Sequence, residues 1–336
     1  MLPIDGSIAS RFVRALCLKD SAPAGWEFAF IDGPGNLSKG HIRGKLQLYW
    51  YYLRVLWQIC RGNDNAFVYF IKPSSALVII LSRVILGLRT FVDVNDPIHL
   101  TSHLGRLSRP RSWLFFNASS GIVFESEEYR KFLGKRYFAK STVIEDTPQF
   151  SRLFDAFEKR SRQVVWYGSP GPSYVLLDYV DCLKLFHASG YSILLMGADK
   201  VVIQKLAEQG VTVDSIPRYQ HADLVAEVSK SMISFVPMPD IVDYTMRGNL
   251  KAKFGMACGC ITIASDIEMH RRLISDGVTG YLFSNQDVVQ RVLDELDRGS
   301  DIPSRVARKG NEYVATTFTL ENHAGEITKF FQSREW

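Results

Sequence analysis

One stretch of the chain, residues 249–283, constrains its fold more than any other. It reads NLKAKFGMACGCITIASDIEMHRRLISDGVTGYLF. This pattern predicts a helix over Lys251–Cys258, a glycine turn, a short apolar strand over Ile261–Ala264 and a second helix over Met269–Ser275. Helix, strand and helix joined by tight turns form one step of an α/β sheet. Open α/β sheets bind ligands beyond the carboxyl ends of their strands, so the polar loop that starts at Ser265 marks the edge where a site is expected.

Strands and helices alternate along the remainder of the chain as well. In the first half, strands are predicted at Glu27–Ile31, Ala66–Ile71, Thr90–Val94, Gly121–Phe124 and Ser141–Ile144, and helices at Ser7–Leu18, Gly44–Cys60, Ser74–Leu86 and Ser126–Leu133. In the second half, the further strands are Gln163–Tyr167, Ser192–Met196, Val211–Ile216 and Met232–Val236, and the further helices are Tyr174–Ala188, Val201–Gln209, Ala222–Ser229, Gln286–Arg298, Pro303–Thr317 and Leu320–Phe331. Strands spaced in this way predict βαβ units and parallel sheets.

Chain length predicts more than one domain. At 336 residues the chain is longer than the size at which a single core is usual. The alternation is interrupted near Pro148 and a charged run at residues 158–160. We therefore predict one doubly wound domain over residues 1–155, a second over 156–317 and a terminal helical segment over 318–336.

Composition excludes several classes of protein. A hydrophobic content of 46% with 22% charged residues is globular and not disordered. Residues 1–12 lack the basic stretch and apolar run of a signal peptide. The longest apolar run, Ala76–Leu88, contains Arg83 and is shorter than the roughly 20 residues that span a bilayer. We therefore expect a cytoplasmic protein.

Cysteine usage does not predict a disulfide framework. The five cysteines are an odd number, and they are scattered as Cys17, Cys60, Cys182, Cys258 and Cys260. Cys258 and Cys260 enclose a single residue. We expect packed thiols there, and a metal or redox pair is the alternative.

Positive charge is concentrated in the first domain. Residues 1–150 hold 19 Lys and Arg against 12 Asp and Glu, whereas the remainder holds 21 against 23. The basic half also carries Trp50, Tyr51 and Trp57 in one helix, and Arg109 and Arg111 beside a second aromatic run. Aromatic and basic residues together suit an anionic membrane surface or an anionic acceptor. A buried helix and an ordinary solvated surface are the alternatives.

Residues 249–283 also resemble the corresponding part of a known protein family. Its Lys251, Met256-Ala257, Gly259, Ile263-Ala264-Ser265 and Asp276-Gly277 resemble, in order, the donor-sugar half of nucleotide-sugar glycosyltransferases of the two-Rossmann (GT-B) fold. The resemblance is to the retaining family numbered four. It implies two Rossmann-like domains that face a cleft, with the last helix crossing back to the first domain. It also implies sugar transfer with retained anomeric configuration and without a metal.

A phosphate site is predicted around the start of the Lys251 helix. Arg247, Lys251 and Lys253 are three cations at a helix start, and exposed backbone amides there favour an anion. Arginine can also bind two phosphate oxygens at once. The resemblance implies that the preceding loop touches donor sugar and diphosphate through its backbone; its residues are Met246, Gly248, Asn249 and Leu250. An ordinary solvated helix start is the alternative.

Four other loops follow predicted strands or open a helix. By resemblance, Gly6 and Ser7 abut the donor diphosphate, and Ser169 offers a hydroxyl to phosphate. Tyr219 is expected to wall the base pocket, with a surface loop as the alternative. Asp96 and, second, His99 are the candidates for contact with the transferred sugar or acceptor. A structural Asp-Pro turn is the alternative, as is an acidic metal motif of the other glycosyltransferase fold, against which the two-domain pattern argues.

The chain departs from the family at two places. Many members carry a pair of glutamates, and the second usually holds the nucleotide ribose. Here Met246 and Phe254 occupy those two positions. Many relatives also have an arginine and a lysine after the loop equivalent to residues 168–170, and neither is present nearby. Arg247 and Lys251, with Lys253, are expected to take over the neutralisation of the leaving diphosphate.

These observations predict a glycosyltransferase, peripheral at the inner face of the cell membrane. Its partners would be a nucleotide-diphosphate sugar and a glycan or lipid-linked glycan acceptor, with no cofactor, no metal and no nucleic acid. A non-catalytic glycosyltransferase-like subunit that binds a partner enzyme or glycan is the alternative. A dinucleotide oxidoreductase lacks support, because no Gly-x-Gly-x-x-Gly follows a predicted strand.

Overall fold

The computed structural model describes residues 67–71, 76–94, 116–148, 157–241 and 246–334, with residues 50–51, 53–54, 56–57, 113–114 and 244. The site residues Gly6, Ser7, Asp96, His99, Arg109 and Arg111 lie outside the described residues and stay predictions. So does the domain boundary, which falls within residues 149–156.

A parallel sheet forms the first domain. Its described elements are β1 (Phe67–Ile71), α1 (Ala76–Leu86), β2 (Arg89–Val94), β3 (Gly121–Phe124), α2 (Glu127–Leu133), a 3-10 helix (Lys135–Lys140) and β4 (Ser141–Val143). The four described strands pair in the order β1-β2-β3-β4. The Ser126 hydroxyl caps α2 by accepting from the Tyr129 amide, 3.2 Å away. Phe124 and Tyr129 pack edge to face in the core behind the sheet.

The second domain also contains a parallel sheet. Its first elements are β5 (Ser161–Tyr167), a 3-10 helix (Gly171–Tyr179), α3 (Val180–Ala188), β6 (Ser192–Met196), α4 (Lys200–Glu208), β7 (Asp214–Ile216), α5 (His221–Lys230) and β8 (Ser231–Val236). They are followed by α6 (Leu250–Ala257), β9 (Ile261–Ser265), α7 (Glu268–Leu273), β10 (Tyr281–Phe283), α8 (Gln286–Asp297), α9 (Ile302–Thr317) and α10 (Leu320–Gln332). The six described strands are all parallel, in the order β10-β9-β8-β5-β6-β7. The strand order reverses at β5, which marks the switch point where such sheets bind ligands.

Two local predictions were wrong and one strand was missed, each for a short-range reason. A single helix was predicted over Tyr174–Ala188, but a 3-10 helix comes first, because the Ser173 amide bonds the Pro170 carbonyl at 3.1 Å. The strand predicted from Val211 begins only at Asp214, because the Val211 amide bonds the Leu206 carbonyl and closes α4. Strand β10 was not predicted, since three residues are too few to show a period.

The last helix crosses back to the first domain, as predicted. Phe330 and Phe331 of α10 pack on Phe91 of β2, with ring centroids 5.8 and 4.7 Å apart. Ile144 and Ile327 complete this small core. No helix in the described part of the chain is long and apolar enough to cross a membrane.

Gly121 is expected to be required for this docking. A methyl group there would lie 2.6 Å from Phe91 and 3.0 Å from Phe330, so Gly121→Ala should destabilise the protein by about 1–3 kcal/mol through overpacking. Gly325→Ala, inside α10 with open space around it, is the matched control and should stabilise by about 0.5–1 kcal/mol. Urea unfolding measures both changes. Equal effects of the two substitutions would contradict the docking.

Candidate functional site

A glycine turn at the carboxyl edge of the second sheet forms the floor of the site. The Gly168 amide, just after β5, bonds the Met196 carbonyl at the end of β6 at 3.0 Å. Gly197 has a φ of +77°, and a side chain there would collide with the Gly168 carbonyl oxygen, so the backbones of these two turns approach as only glycine allows. The Tyr219 hydroxyl, after β7, donates to the same carbonyl at 3.1 Å.

Tyr219 is therefore at the site, but in a supporting position. Burial raises the pKa of its hydroxyl to about 12, so the group stays a neutral hydrogen-bond donor at physiological pH. Its ring walls the turn on the β7 side. Its predicted role as a wall of the base pocket stays a prediction. Ser169 is exposed beside it, and its contact with phosphate likewise stays a prediction.

Lys251 lies above this turn. Its Nζ is 4.7 Å from the centre of the Trp166 ring, and a methyl group on Gly168 would come within 2.8 Å of Nζ. The Tyr167 hydroxyl donates to the Lys251 carbonyl at 2.6 Å and so ties the first turn of α6 to β5. Burial, followed by the positive charge of Arg247, lowers the pKa of the Lys251 ammonium to about 8.

Arg247 is the second cation of the site. Its guanidinium lies 5.1 Å from the centre of the Tyr244 ring, and its amide bonds the Tyr244 carbonyl at 3.1 Å. Its positive charge also disfavours the charged form of Lys251. Lys251 over the glycine turn and Arg247 just before the positive end of α6 can together neutralise an anion with more than one charge.

The loop that carries Arg247 and leads into α6 is held by the first domain. Met246 packs in that domain's core with Phe124 and Tyr129, and the Ser126 hydroxyl donates to the Met246 carbonyl at 2.7 Å. Glu125, the residue before it, places its carboxylate against Gly248. Glu125 and Ser126 were not predicted as site residues; their position after the correctly predicted strand β3 marks the carboxyl edge of the sheet, but not their contact with this loop.

The remaining loop residues shape the start of α6. Asn249 is buried, and its side-chain amide donates to the Met269 carbonyl at 2.8 Å, which joins α6 to α7. Leu250 is half-buried. His270, beyond Met269, is fully buried with Nδ1 2.8 Å from the Ser265 carbonyl oxygen. Burial lowers the pKa of its imidazole to about 4, so His270 is neutral and adds no charge to the site at neutral pH.

Lys253 does not belong to this cluster, contrary to the grouping drawn from the sequence. Residues two apart on an α-helix point about 200° apart around its axis. The buried Lys253 ammonium donates to a Glu145 carboxylate oxygen at 2.6 Å and to the Asp146 carbonyl at 2.9 Å. It also lies 3.9 Å from the centre of the Phe318 ring. It therefore fastens α6 to the segment that follows β4.

The position aligned with the family's second glutamate is part of the core. Phe254 is 5% exposed and packs edge to face on Tyr167, with ring centroids 5.6 Å apart. It also contacts the ring of His221, at 5.9 Å. A carboxylate at this position would be desolvated by the aromatic rings. The packing around position 254 therefore favours phenylalanine over the glutamate of the family.

Cys258 and Cys260, on either side of Gly259, are packed thiols, as predicted. Both are buried, the Cys260 thiol bonds the Val228 carbonyl at 3.1 Å, and burial raises its pKa to about 12. Within the described residues, no cluster of His, Cys, Asp and Glu could hold a metal ion. In the aromatic helix, Trp50 is 73% exposed and Trp57 46% exposed; Tyr51 is also exposed, while Leu56 is buried.

Solved structures share this architecture, although no protein-family model and no curated protein matches the chain. TarM of S. aureus superposes with a TM-score of 0.65 at 14% identity, over 85% of this chain and 58% of TarM. Anabaena HepE in complex with UDP-glucose superposes with a TM-score of 0.63 at 13% identity, over 87% of this chain and 84% of HepE. A glycosyltransferase of Rickettsia africae superposes with a TM-score of 0.62 at 14% identity, over 89% of this chain and 83% of that protein. The predicted fold of two Rossmann-like domains is therefore confirmed: it is the GT-B glycosyltransferase fold.

Lys253 and Lys251 should differ in their effect on stability. Lys253→Met should lower the free energy of unfolding by about 1–3 kcal/mol, because it removes a buried ion pair whose Glu145 partner is only 31% exposed. Lys251→Met is the matched control two residues away. It removes a cation that burial disfavours, and should leave stability unchanged or raise it. Urea unfolding measures the free energy of unfolding of both variants. A larger loss of stability in Lys251→Met than in Lys253→Met would refute the structural role of Lys253 and the unfavourable burial of Lys251.

Proposed function

We propose that this protein is a glycosyltransferase that uses a nucleotide-diphosphate sugar. The observation that carries the proposal is the position of Lys251 over the Gly168 turn, at the switch point of a parallel sheet, with the charge of Arg247 acting on it. A diphosphate matches this arrangement, because it offers several oxygens and more than one negative charge to two cations and a helix start. The structural neighbour HepE was solved with UDP-glucose, which supports the class of donor.

The proposed reaction retains the anomeric configuration, as the resemblance to family four implies. The bond between the anomeric carbon and the phosphate oxygen breaks, and the acceptor hydroxyl oxygen bonds that carbon on the same face. The hydroxyl proton passes to the departing phosphate. Arg247 and Lys251 stabilise the charge that develops on the leaving diphosphate, so no metal is required. Pre-organisation by the Gly168 turn and by α6 supplies orientation.

The acceptor is proposed to be a glycan or a lipid-linked glycan, bound mainly by the first domain. That domain carries the excess of positive charge and the predicted acceptor residues Asp96 and His99. The catalytic assignment therefore comprises Arg247 and Lys251 from the described site, with Asp96 and His99 as acceptor-side candidates.

A non-catalytic subunit is the second candidate, and one observation favours it. Met246 and Phe254 fill core positions where many relatives have glutamates. Nucleotide binding alone would not distinguish the two functions, but release of nucleoside diphosphate from a donor would. We therefore suggest incubating the purified protein with a panel of nucleotide sugars and measuring slow release of the nucleoside diphosphate. Binding without release, with and without candidate glycans, would favour the subunit.

Lys251→Ala should weaken binding of the nucleoside diphosphate about tenfold to a hundredfold, since a charge-assisted hydrogen bond contributes roughly 1.5–3 kcal/mol. Lys205→Ala, an exposed lysine on α4, is the control and should leave affinity unchanged. Isothermal titration calorimetry measures both. Unchanged affinity in Lys251→Ala would remove Lys251 from the phosphate site.

The same lysine predicts a pH dependence. Its ammonium has a pKa of about 8 in the free protein, so the cationic form that binds phosphate is depleted as the pH rises. A bound phosphate raises this pKa again, and affinity should therefore fall about tenfold between pH 7 and pH 9. Lys251→Arg keeps its charge over this range and should show a much smaller decline. A steep decline that persists in Lys251→Arg would assign the titration to another group.

Peripheral attachment to the inner face of a membrane is proposed from the exposed aromatic helix. Trp50, Tyr51 and Trp57 are on the surface of a basic domain, and such residues favour an anionic interface. The protein should therefore float with vesicles that contain phosphatidylglycerol and less with neutral vesicles. Trp50→Ser should reduce flotation severalfold, whereas Tyr174→Ser, an exposed aromatic in the second domain, should not. Equal flotation of all three proteins would contradict this surface.

A further inference from the structure

Glu125 is a buried carboxylate at the boundary between the two domains. It follows β3 directly, at the carboxyl edge of the first sheet, and is 6% exposed. Its carboxylate lies against Gly248, in the loop that leads from Arg247 into α6. The first domain thus places a negative charge on the same loop that carries the phosphate-binding cations of the second domain.

The position of this carboxylate is fixed from both sides. On its own side, Ser126 caps α2 and also donates to the Met246 carbonyl at 2.7 Å, so the backbone that carries Glu125 is held against the loop. On the opposite side, Gly248 has no side chain, and any side chain there would collide with the Glu125 carboxylate. The close approach of a carboxylate to this loop therefore requires glycine at position 248.

The charge of Glu125 distinguishes what it can bind. A carboxylate repels a phosphate, so Glu125 is unsuited to the diphosphate that Arg247 and Lys251 would hold. Sugar hydroxyls donate hydrogen bonds, and an ionised carboxylate accepts them with two oxygens. At a buried position such as that of Glu125, these bonds are stronger than on an exposed surface. In the proposed function, the sugar of the donor lies between the diphosphate and the acceptor, which the first domain is proposed to bind.

We propose that Glu125 accepts hydrogen bonds from hydroxyls of the transferred sugar and thereby selects the donor. This inference rests on the proposed function and extends it, because it assigns sugar recognition to the first domain and phosphate recognition to the second. The Glu125 carboxylate would replace the two glutamate carboxylates of the family, whose positions are occupied here by Met246 and Phe254. The site then becomes complete only when both domains meet at Gly248.

Calorimetry with paired ligands tests this role. Each nucleotide sugar of a panel that includes UDP-glucose and GDP-mannose is titrated beside its own nucleoside diphosphate, for the natural protein, Glu125→Gln and Glu125→Ala. We expect the nucleotide sugar that binds best to bind Glu125→Ala about tenfold to a hundredfold more weakly, with a smaller loss for Glu125→Gln. Affinity for the matching nucleoside diphosphate should be unchanged or slightly higher, which also shows that each variant is folded.

Glu128→Gln is the matched control. Glu128 lies in the first turn of α2 and pairs with Arg272 across the same domain boundary. Glu128→Gln should leave the ratio of the two affinities unchanged. If it lowers the ratio as much as Glu125→Gln does, Glu125 acts only through domain closure and the inference fails.

Two other outcomes would overturn the proposal in different ways. Equal loss of affinity for nucleotide sugar and nucleoside diphosphate, or no loss of either, would show that Glu125 does not recognise the sugar, while the proposed function would stand. A folded natural protein that binds no nucleotide of the panel would refute the proposed function and this inference together.

Discussion

The buried ammonium of Lys253 is the interaction on which the arrangement of the site depends. It joins α6 of the second domain to Glu145 and the Asp146 carbonyl, just after the last strand of the first sheet. The cation also lies over Phe318, which leads into the helix that crosses back. The His323 imidazole of that helix contacts the Glu145 carbonyl at 3.1 Å. Helix α6, the strand end and the returning helix thus meet at one buried charge, which is costly to leave unpaired.

Lys253 holds one face of α6 against the first domain. The opposite face can therefore carry Lys251, a cation whose charged form is disfavoured. Lys251 points to the Gly168 turn, where burial and Arg247 disfavour its charge. An isolated helix would relieve this by moving, but Lys253 and the bond from Tyr167 to the Lys251 carbonyl hold the first turn in place. The proposed diphosphate would therefore relieve the unfavourable charge without a change of shape. This is the sense in which the site is pre-organised.

The sequence predicted the scaffold well, since local periodicity and glycine turns determine it. The strands at Gly121–Phe124, Ser192–Met196 and Ile261–Ser265 were found within one residue. The direction of each lysine on α6 was not predicted, because a cluster of basic residues at a helix start does not reveal which face meets which domain. Glu125 was missed for a related reason. Its function depends on contact with Gly248, more than 120 residues later in the chain, and spacing along one chain carries no signal for that contact.

The division of charge between the domains has a consequence for how the protein recognises its substrate. In the described site, the cations come from the second domain and the carboxylate that meets their loop comes from the first. Under the proposed function, affinity for a diphosphate would come from the second domain, whereas the proposed contact between Glu125 and the sugar would need both domains. A ligand that lacks the sugar would gain nothing from that contact and would be opposed by the carboxylate. The loss of the glutamates at Met246 and Phe254 would then be compatible with catalysis, because the proposed selecting carboxylate comes from the other domain and would couple sugar recognition to the exclusion of water.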